Sequence, residues 1–283
     1  MAEILLDIFI DALLDTLKVL PFLLGVYILI EYIEHRSSEK LGNALRKMGP
    51  FGSVGGAVLG AIPQCGFSVV ASNLFAGRLI SMGTLVAVFI STSDEAIPML
   101  ISNPQSIGEL WKFILIKTVI AIIAGIVVDI VIKVLHMDKQ EEPFKEICSH
   151  CDCEHHGIFH AALSHTIEII IFILIVNLLL NGFMEFAGTE TVSKILMTNS
   201  VFQPLIAGLV GFIPNCAASV VLTQLYIEGI LSFGSIIAGL TTSAGVGLVV
   251  LFKMNKHVKQ NLLILWILYF TGVLSGLIVN III

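Results

Sequence analysis

Charge is scarce in this chain. Only 13% of its 283 residues are Asp, Glu, Lys or Arg, about half the roughly 25% of an ordinary soluble domain. Hydrophobic residues make up 57%. A water-soluble core of this size has no room for so much apolar surface, so the composition excludes a soluble globule and calls for lipid as solvent. The first stretch, "MAEILLDIFIDALLDTLKVLPF", lacks a basic n-region and a small-residue cleavage site. It therefore reads as retained and not as a signal peptide. No GxxxxGK[ST] motif occurs, which argues against ATP-driven work by this chain alone. Nothing resembles a nucleic-acid surface. The formal charge of −6 identifies no partner, because a membrane protein shows its charges in loops.

The apolar residues fall into four regions per half. They lie at about 17–34, 51–76, 79–102 and 110–135, then at about 160–186, 202–227, 230–252 and 261–283. The boundaries predict a first membrane repeat over 1–135, a polar linker over 136–159 and a second repeat over 160–283. Asp7, Asp11 and Asp15 share one helical face. They read either as an interfacial lead-in to the first span or as the wet end of one long helix. Lys18 and Glu31 read as snorkelling ends of that span. "SSEKLGNALRKMGP" at 37–50 predicts a short surface helix ended by Gly49 and Pro50.

The halves repeat. An offset of 151 pairs Ile62, Pro63, Cys65, Ser68, Val69, Val70, Leu74, Ser81 and Gly83 with Ile213, Pro214, Cys216, Ser219, Val220, Val221, Leu225, Ser232 and Gly234. An offset of 150 pairs Ala12, Leu13, Thr16, Phe22 and Leu24 with Ala162, Leu163, Thr166, Phe172 and Leu174. Chance likeness between apolar helices favours Leu, Ile and Val. Shared Pro, Cys, Ser and Gly at fixed spacing indicate internal duplication.

Lys and Arg orient the halves through the positive-inside rule. If the second region of each half dips in and returns at its Pro-Gln-Cys or Pro-Asn-Cys break, the inside loops hold eleven basic residues (Arg36, Lys40, Arg46, Lys47, Arg78, Lys133, Lys139, Lys145, Lys253, Lys256 and Lys259). The outside loops then hold two, Lys112 and Lys194. Single crossings throughout give a poorer split. The fold expected is all-α integral membrane, with two inverted repeats. Each has about three spanning helices plus a re-entrant helical hairpin, about ten membrane segments counted singly. The N-terminus would be outside and the linker cytosolic, in the plasma (inner) membrane. This is the recurring construction of secondary transporters. The plainer alternative at each break is a proline kink with a buried cysteine.

The interruptions carry the chemistry. Gln64 and Cys65, like Asn215 and Cys216, stand where a second half-helix begins, with free N–H groups and a positive dipole end. Ser68 and Ser219 follow on the same half-helices. The third region of each half carries a polar run, Ser91, Thr92, Ser93, Asp94 and Glu95 in "STSDE" and Thr242 and Ser243 in "TTSAG". Charge inside an apolar segment is expensive and usually functional, unless the run is a helix end in water. Together these residues form the candidate substrate site. Thiolates suit soft metals or trivalent metalloids, while carboxylates and amides suit Mn. Candidate metal ligands are Cys65, Cys216, Asp94 and Glu95. Helix N-termini would also welcome an oxyanion, so a small-anion permease is the second reading.

The linker "CSHCDCEHHGIFH" concentrates Cys148, His150, Cys151, Cys153, His155, His156 and His160. It predicts a metal-binding segment, for Zn or another metal, without a fixed zinc-finger spacing. A disordered loop of adventitious affinity is the alternative. His165 continues the pattern into the next apolar region. A thiol oxidoreductase is a third reading, disfavoured because neither Cys65 nor Cys216 belongs to a CxxC pair.

The paired "IPQCGFS" and "IPNCAAS" breaks, "STSDEAIP" and the Cys/His-rich segment before "HAALSHT" resemble the ten-transmembrane heavy-metal exporter family. Its members are often labelled manganese transporter or arsenic efflux protein, and the Ile-Pro-x-Cys element is more distantly similar to arsenical permeases. The resemblance implies a metal or metalloid efflux permease and not an enzyme. The cargo would be of the Mn, Zn or arsenite class, with protons and the bilayer as partners, no resident cofactor, and a homodimer left open. It carries over onto Pro63, Gln64, Cys65, Pro214, Asn215, Cys216 and the run Ser91–Glu95.

Overall fold

Pro63 and Pro214 lack the N–H that a helix interior needs, and each disfavours helical geometry in the residue before it. The chain is helical on both sides of each. The structure, a computed structural model, describes residues 9–10, 12–14, 16–21, 23–25, 27–28, 50–93, 96–102, 107–135, 158–187 and 202–282. In chain order the helices are α1 (Pro50–Gly60), α2 (Cys65–Ala76), α3 (Met82–Ser91), α4 (Ala96–Ser102), α5 (Ile107–Val134), α6 (Ile158–Ala187), α7 (Gln203–Gly211), α8 (Cys216–Ile227), α9 (Phe233–Thr242), α10 (Val246–Met254) and α11 (Val258–Ile282). The described residues before 29 are helical too, and no strand occurs among the described residues. Asp7, Asp11, Asp15, Glu31, the 37–49 segment and most of the linker lie outside them.

The second region of each half is thus two short helices. The third is also interrupted, between α3 and α4 and between α9 and α10. The polar runs lie at helix ends, as one sequence reading had it, but these ends are not in water. Thr92 and Ser93 are buried, as are Thr242 and Ser243.

The packing repeats with the sequence offset. In the first half α3 lies against α1 and α5; in the second, α9 lies against α7 and α11. The Asp129 carboxylate accepts from Gly83 N–H at 2.9 Å, and the Asn280 amide oxygen accepts from Gly234 N–H at 2.9 Å. Ser81 and Ser232 cap α3 and α9 by accepting from Thr84 and Ser235 N–H. α2 closes with Leu79 N–H donating to Leu74 C=O, and α8 with Ile230 N–H donating to Leu225 C=O. The helix-ending residues Arg78 and Gly229 both have positive φ, 59° and 75°. Close approaches recur as well. A Cβ on Gly83 would collide with the Gly125 carbonyl, and one on Gly234 with the Gly276 carbonyl. Between the halves the elbows exchange supports: α2 packs on α10, and α8 on α4.

Four segments among the described residues are long and apolar enough to cross a membrane: Met82–Ser102 and Phe233–Met254, each counted across its break, then Gly108–Val134 and Val258–Ile282. The broken ones are 81% and 89% buried within the protein, the unbroken ones 22% and 28%. Interrupted backbone cannot face lipid, so the intact helices take the outside. On α5 the exposed stripe is Leu115, Val119, Ile123, Val127 and Ile130; on α11 it is Leu262, Trp266, Phe270, Leu274 and Ile278. Their spacing of three or four keeps one face outward.

Asp129 accepts three hydrogen bonds, from Gly83 N–H and from the Ser53 and Ser81 hydroxyls at 3.1 and 2.9 Å. Asp129→Asn, which copies the second half, is expected to stay within about 1 kcal/mol of wild type. Asp129→Leu strands the donors and is expected to cost about 3 kcal/mol or more, read by thermal unfolding in detergent. Trp111 and Trp266 are 72% and 70% exposed. Brominated phospholipid in proteoliposomes is expected to quench both, and a chain that faced water with these surfaces would show no such quenching.

Candidate functional site

The helix ends determine where polar chemistry can lie. α3 stops after Ser91 and α9 after Thr242, and both ends are buried within the protein. Thr92 leaves helical geometry at φ −57° and ψ 131°, and Ser243 at φ −78° and ψ 88°. Gly245 follows at φ 54° and ψ −145°, a conformation in which L side chains are strained. On the other side α8 begins at Cys216. Its N-cap Asn215 is extended, and the Asn215 side-chain oxygen accepts from Ala217 N–H. A short polar side chain at this position satisfies one of the helix's orphan donors.

These three ends line one small cavity of about 10 Å³, roughly the room one water molecule needs. Its walls are Thr92, Ser93, Asn215, Cys216, Ser219, Leu240, Ser243 and Gly245. Six of the sequence candidates are therefore neighbours: Thr92 and Ser93 from the first half, and Asn215, Cys216, Ser219 and Ser243 from the second. The Cys216 thiol is half-buried and in no disulfide. The Ser219 hydroxyl donates to Cys216 C=O at 2.8 Å.

The other candidates sit elsewhere. The Ser91 hydroxyl donates to Val88 C=O at 3.0 Å. Thr242 donates to Gly208 C=O at 2.8 Å and closes the contact between α7 and α9. Ser68 is buried where α2 meets α10, its Cβ 2.7 Å from the place a Cβ on Gly247 would take. The Gln64 amide donates weakly to Lys18 C=O at 3.5 Å. Cys65 opens α2, but its side chain lies outside the described residues. So do Asp94, Glu95, Cys148, His150, Cys151, Cys153, His155 and His156, and the side chains of His160 and His165. Among the described residues no three His, Cys, Asp or Glu side chains gather as a metal site.

One residue of the site escaped the reading of motifs. Lys117, on α5, is 1% exposed. Its ammonium donates to Thr92 C=O and the Ser93 hydroxyl, both at 2.6 Å, and to Leu240 C=O at 2.9 Å. All three residues line the cavity, so a positive charge stands directly behind its wall. The signal was available: Lys117 is a lone lysine inside "FILIKTVIAIIAGIVV", and an ionisable group within an apolar span is costly enough to need a purpose.

Fold and site define a class: a multi-pass helical membrane protein whose two halves are each interrupted where they meet, with a polar, thiol-bearing cavity at the junction. The chain matches a family model described as "Putative, 10TM heavy-metal exporter" over residues 1–196 and again over 176–283, and it belongs to that family. No curated protein and no solved structure matches it. An exporter family is not a class of enzyme.

The break at Gly245 supplies the site's most conformation-sensitive position. Gly245→Ala is expected to lose about 1–3 kcal/mol of stability and to change maleimide labelling of Cys216 across the cavity. Gly55→Ala, at a helical glycine with open space around it, is the control and is expected to leave both unchanged.

Proposed function

We propose that this chain is a secondary-active exporter carrying a heavy-metal or metalloid ion through the cavity at the helix breaks. The observation that supports this most is the convergence there of a thiol, an amide and four hydroxyls from both halves, inside a family of heavy-metal exporters. A thiol among oxygen donors suits a borderline or soft ion better than Mg or Ca. Cys216 is the first ligand in this reading, and Cys65, its counterpart at the other elbow, is the second. Protons are the counter-ion, with Asp94 and Glu95, which follow Ser93 in sequence, as their carriers. The halves have opposite orientations in the inner membrane. The elbows between α1 and α2 and between α7 and α8 enter from opposite sides, and the Cys/His linker faces the cytosol as a metal collector. The basic residues and the repeated contacts support this arrangement.

One observation favours the alternative of a permease for a sulfur-containing or other small anion. The Lys117 ammonium behind Ser93 and the N-terminus of α8 both present positive potential to the cavity. Everted membrane vesicles separate the two readings. Elemental analysis after exposure to Mn, Zn, Cd or arsenite, with and without a proton gradient, is expected to show gradient-dependent accumulation of at least one. Cys216→Ser and Cys65→Ser are each expected to reduce it at least about tenfold and to abolish resistance in a sensitised host. Accumulation of sulfate or thiosulfate, with no effect of metal and no effect of either serine, overturns the exporter reading.

A further inference from the structure

The C-terminal end of a helix carries a partial negative charge and unpaired carbonyls. Two such ends converge here. Thr92 C=O belongs to the end of α3 and Leu240 C=O to the last turn of α9, and both accept from one Lys117 ammonium, with the Ser93 hydroxyl as third acceptor. An ammonium has three donors and no acceptor, and each of these three oxygens can accept from it. The Phe113 ring, with its centroid 5.6 Å from Nζ, adds an aromatic face within the range at which a cation is attracted. The side chain is 1% exposed, out of reach of bulk solvent.

The second half offers no such charge. The residue aligned with Lys117 is Leu268, fully buried. One cation therefore serves both helix ends. It also joins the halves, since Thr92 and Ser93 belong to the first and Leu240 to the second. In membrane proteins with discontinuous helices, unwound carbonyls and half-helix C-termini are the groups that coordinate small monovalent cations.

We propose that the junction of the two broken helices is a monovalent-cation site, and that Lys117 is its permanent, covalently attached occupant. The cage of Thr92 C=O, Ser93 Oγ and Leu240 C=O takes Na⁺, K⁺ or a small alkylammonium once the lysine is removed. The wild-type protein has no use for these ions at this place, and its activity is independent of external Na⁺ and K⁺. The assignment does not depend on which ion the protein exports, because it is read through stability.

Lys117→Ala empties the cage, and Lys117→Met fills it with an uncharged chain of similar length. Thermal unfolding of wild type and both variants is followed in a buffer whose only cation is N-methylglucamine, then with added Na⁺, K⁺ or ethylammonium. Lys117→Ala is expected to gain about 5–10 °C when the added cation reaches about a hundred times its dissociation constant. Wild type and Lys117→Met are expected to stay within 1–2 °C, roughly the shift of a ΔΔG near 0.5 kcal/mol. A Lys117→Ala variant indifferent to all three cations overturns the proposal, and so does a wild type that responds as strongly as the variant. If Lys117→Ala is not recovered folded in any of these salts, Lys117→Arg and Lys117→Met decide it. The proposal requires the charged variant to yield more folded protein, and an equal or better yield from Lys117→Met overturns it.

Discussion

A polypeptide may break its helices inside a membrane only where other parts of the same protein cover the break. Most of this architecture follows from that constraint. The interrupted segments occupy the centre, and the uninterrupted α5 and α11 turn their apolar stripes outward. Close packing at the breaks requires small residues. Gly60 faces Ser91, and Gly211 faces Thr242; a Cβ on either glycine would strike the hydroxyl opposite. At the breaks the hydroxyls of Ser91, Thr92 and Thr242 bond back to carbonyls of their own turns or of the neighbouring helix. The breaks are thereby dry on most sides, and the cavity is the place where covering is incomplete.

The duplicated plan makes the departures from symmetry informative. Equivalent positions keep the same job where the job is structural. Asp129 and Asn280 both hold a glycine N–H, and Ser81 and Ser232 both cap a helix. Arg78 stands where the second half has Gly229, in the same positive-φ turn. An L side chain there costs of order 1 kcal/mol, offset by the hydrogen bond from Arg78 to Gln260 and by its contact over Phe75. Charge is what the halves do not share. Lys117 aligns with Leu268, and Asp94 with Gly245. At the cavity the first half supplies the buried ammonium, while the second supplies the half-buried thiol, the capping amide and the glycine that bends the wall.

Much of this was legible in the sequence because Pro, Gly, Cys and polar residues are conspicuous against an apolar background. Pro63 and Pro214 marked the interruptions of the second regions, and the offset of 151 marked the repeat. The breaks in the third regions were harder to read. Ser91, Thr92 and Ser93 contain no Pro or Gly, and hydroxyl residues are tolerated within a helix by bonding their own carbonyls. Gly245 signalled a break directly, and Pro98 in the first turn of α4 marked a helix start. Residue type also could not say which hydroxyls line the cavity, since Ser91 and Thr92 are adjacent and only Thr92 reaches it. Lys117 was hidden by the way lysines are usually counted. The positive-inside rule treats them as loop residues, and one inside a span drops out of the count.

The two elbows are related by sequence but differ in what they can do, and side-chain length explains part of this. Asn215 is short enough for its amide oxygen to reach the Ala217 N–H of its own helix, which fixes the start of α8 against the cavity. Gln64 is one methylene longer. It makes no cap on α2, and its amide turns away to Lys18 C=O. Each elbow's second helix reaches the opposite half, α2 on α10 and α8 on α4, and α8 packs on α7 and α9 of its own half as well. α2 is therefore held mainly by the second half, while α8 is shared between the two. Lys117 holds the ends of α3 and α9 together. The cavity lies between that cation and the start of α8, so one wall is tethered by an ammonium at Ser93 and the other carries the Cys216 thiol.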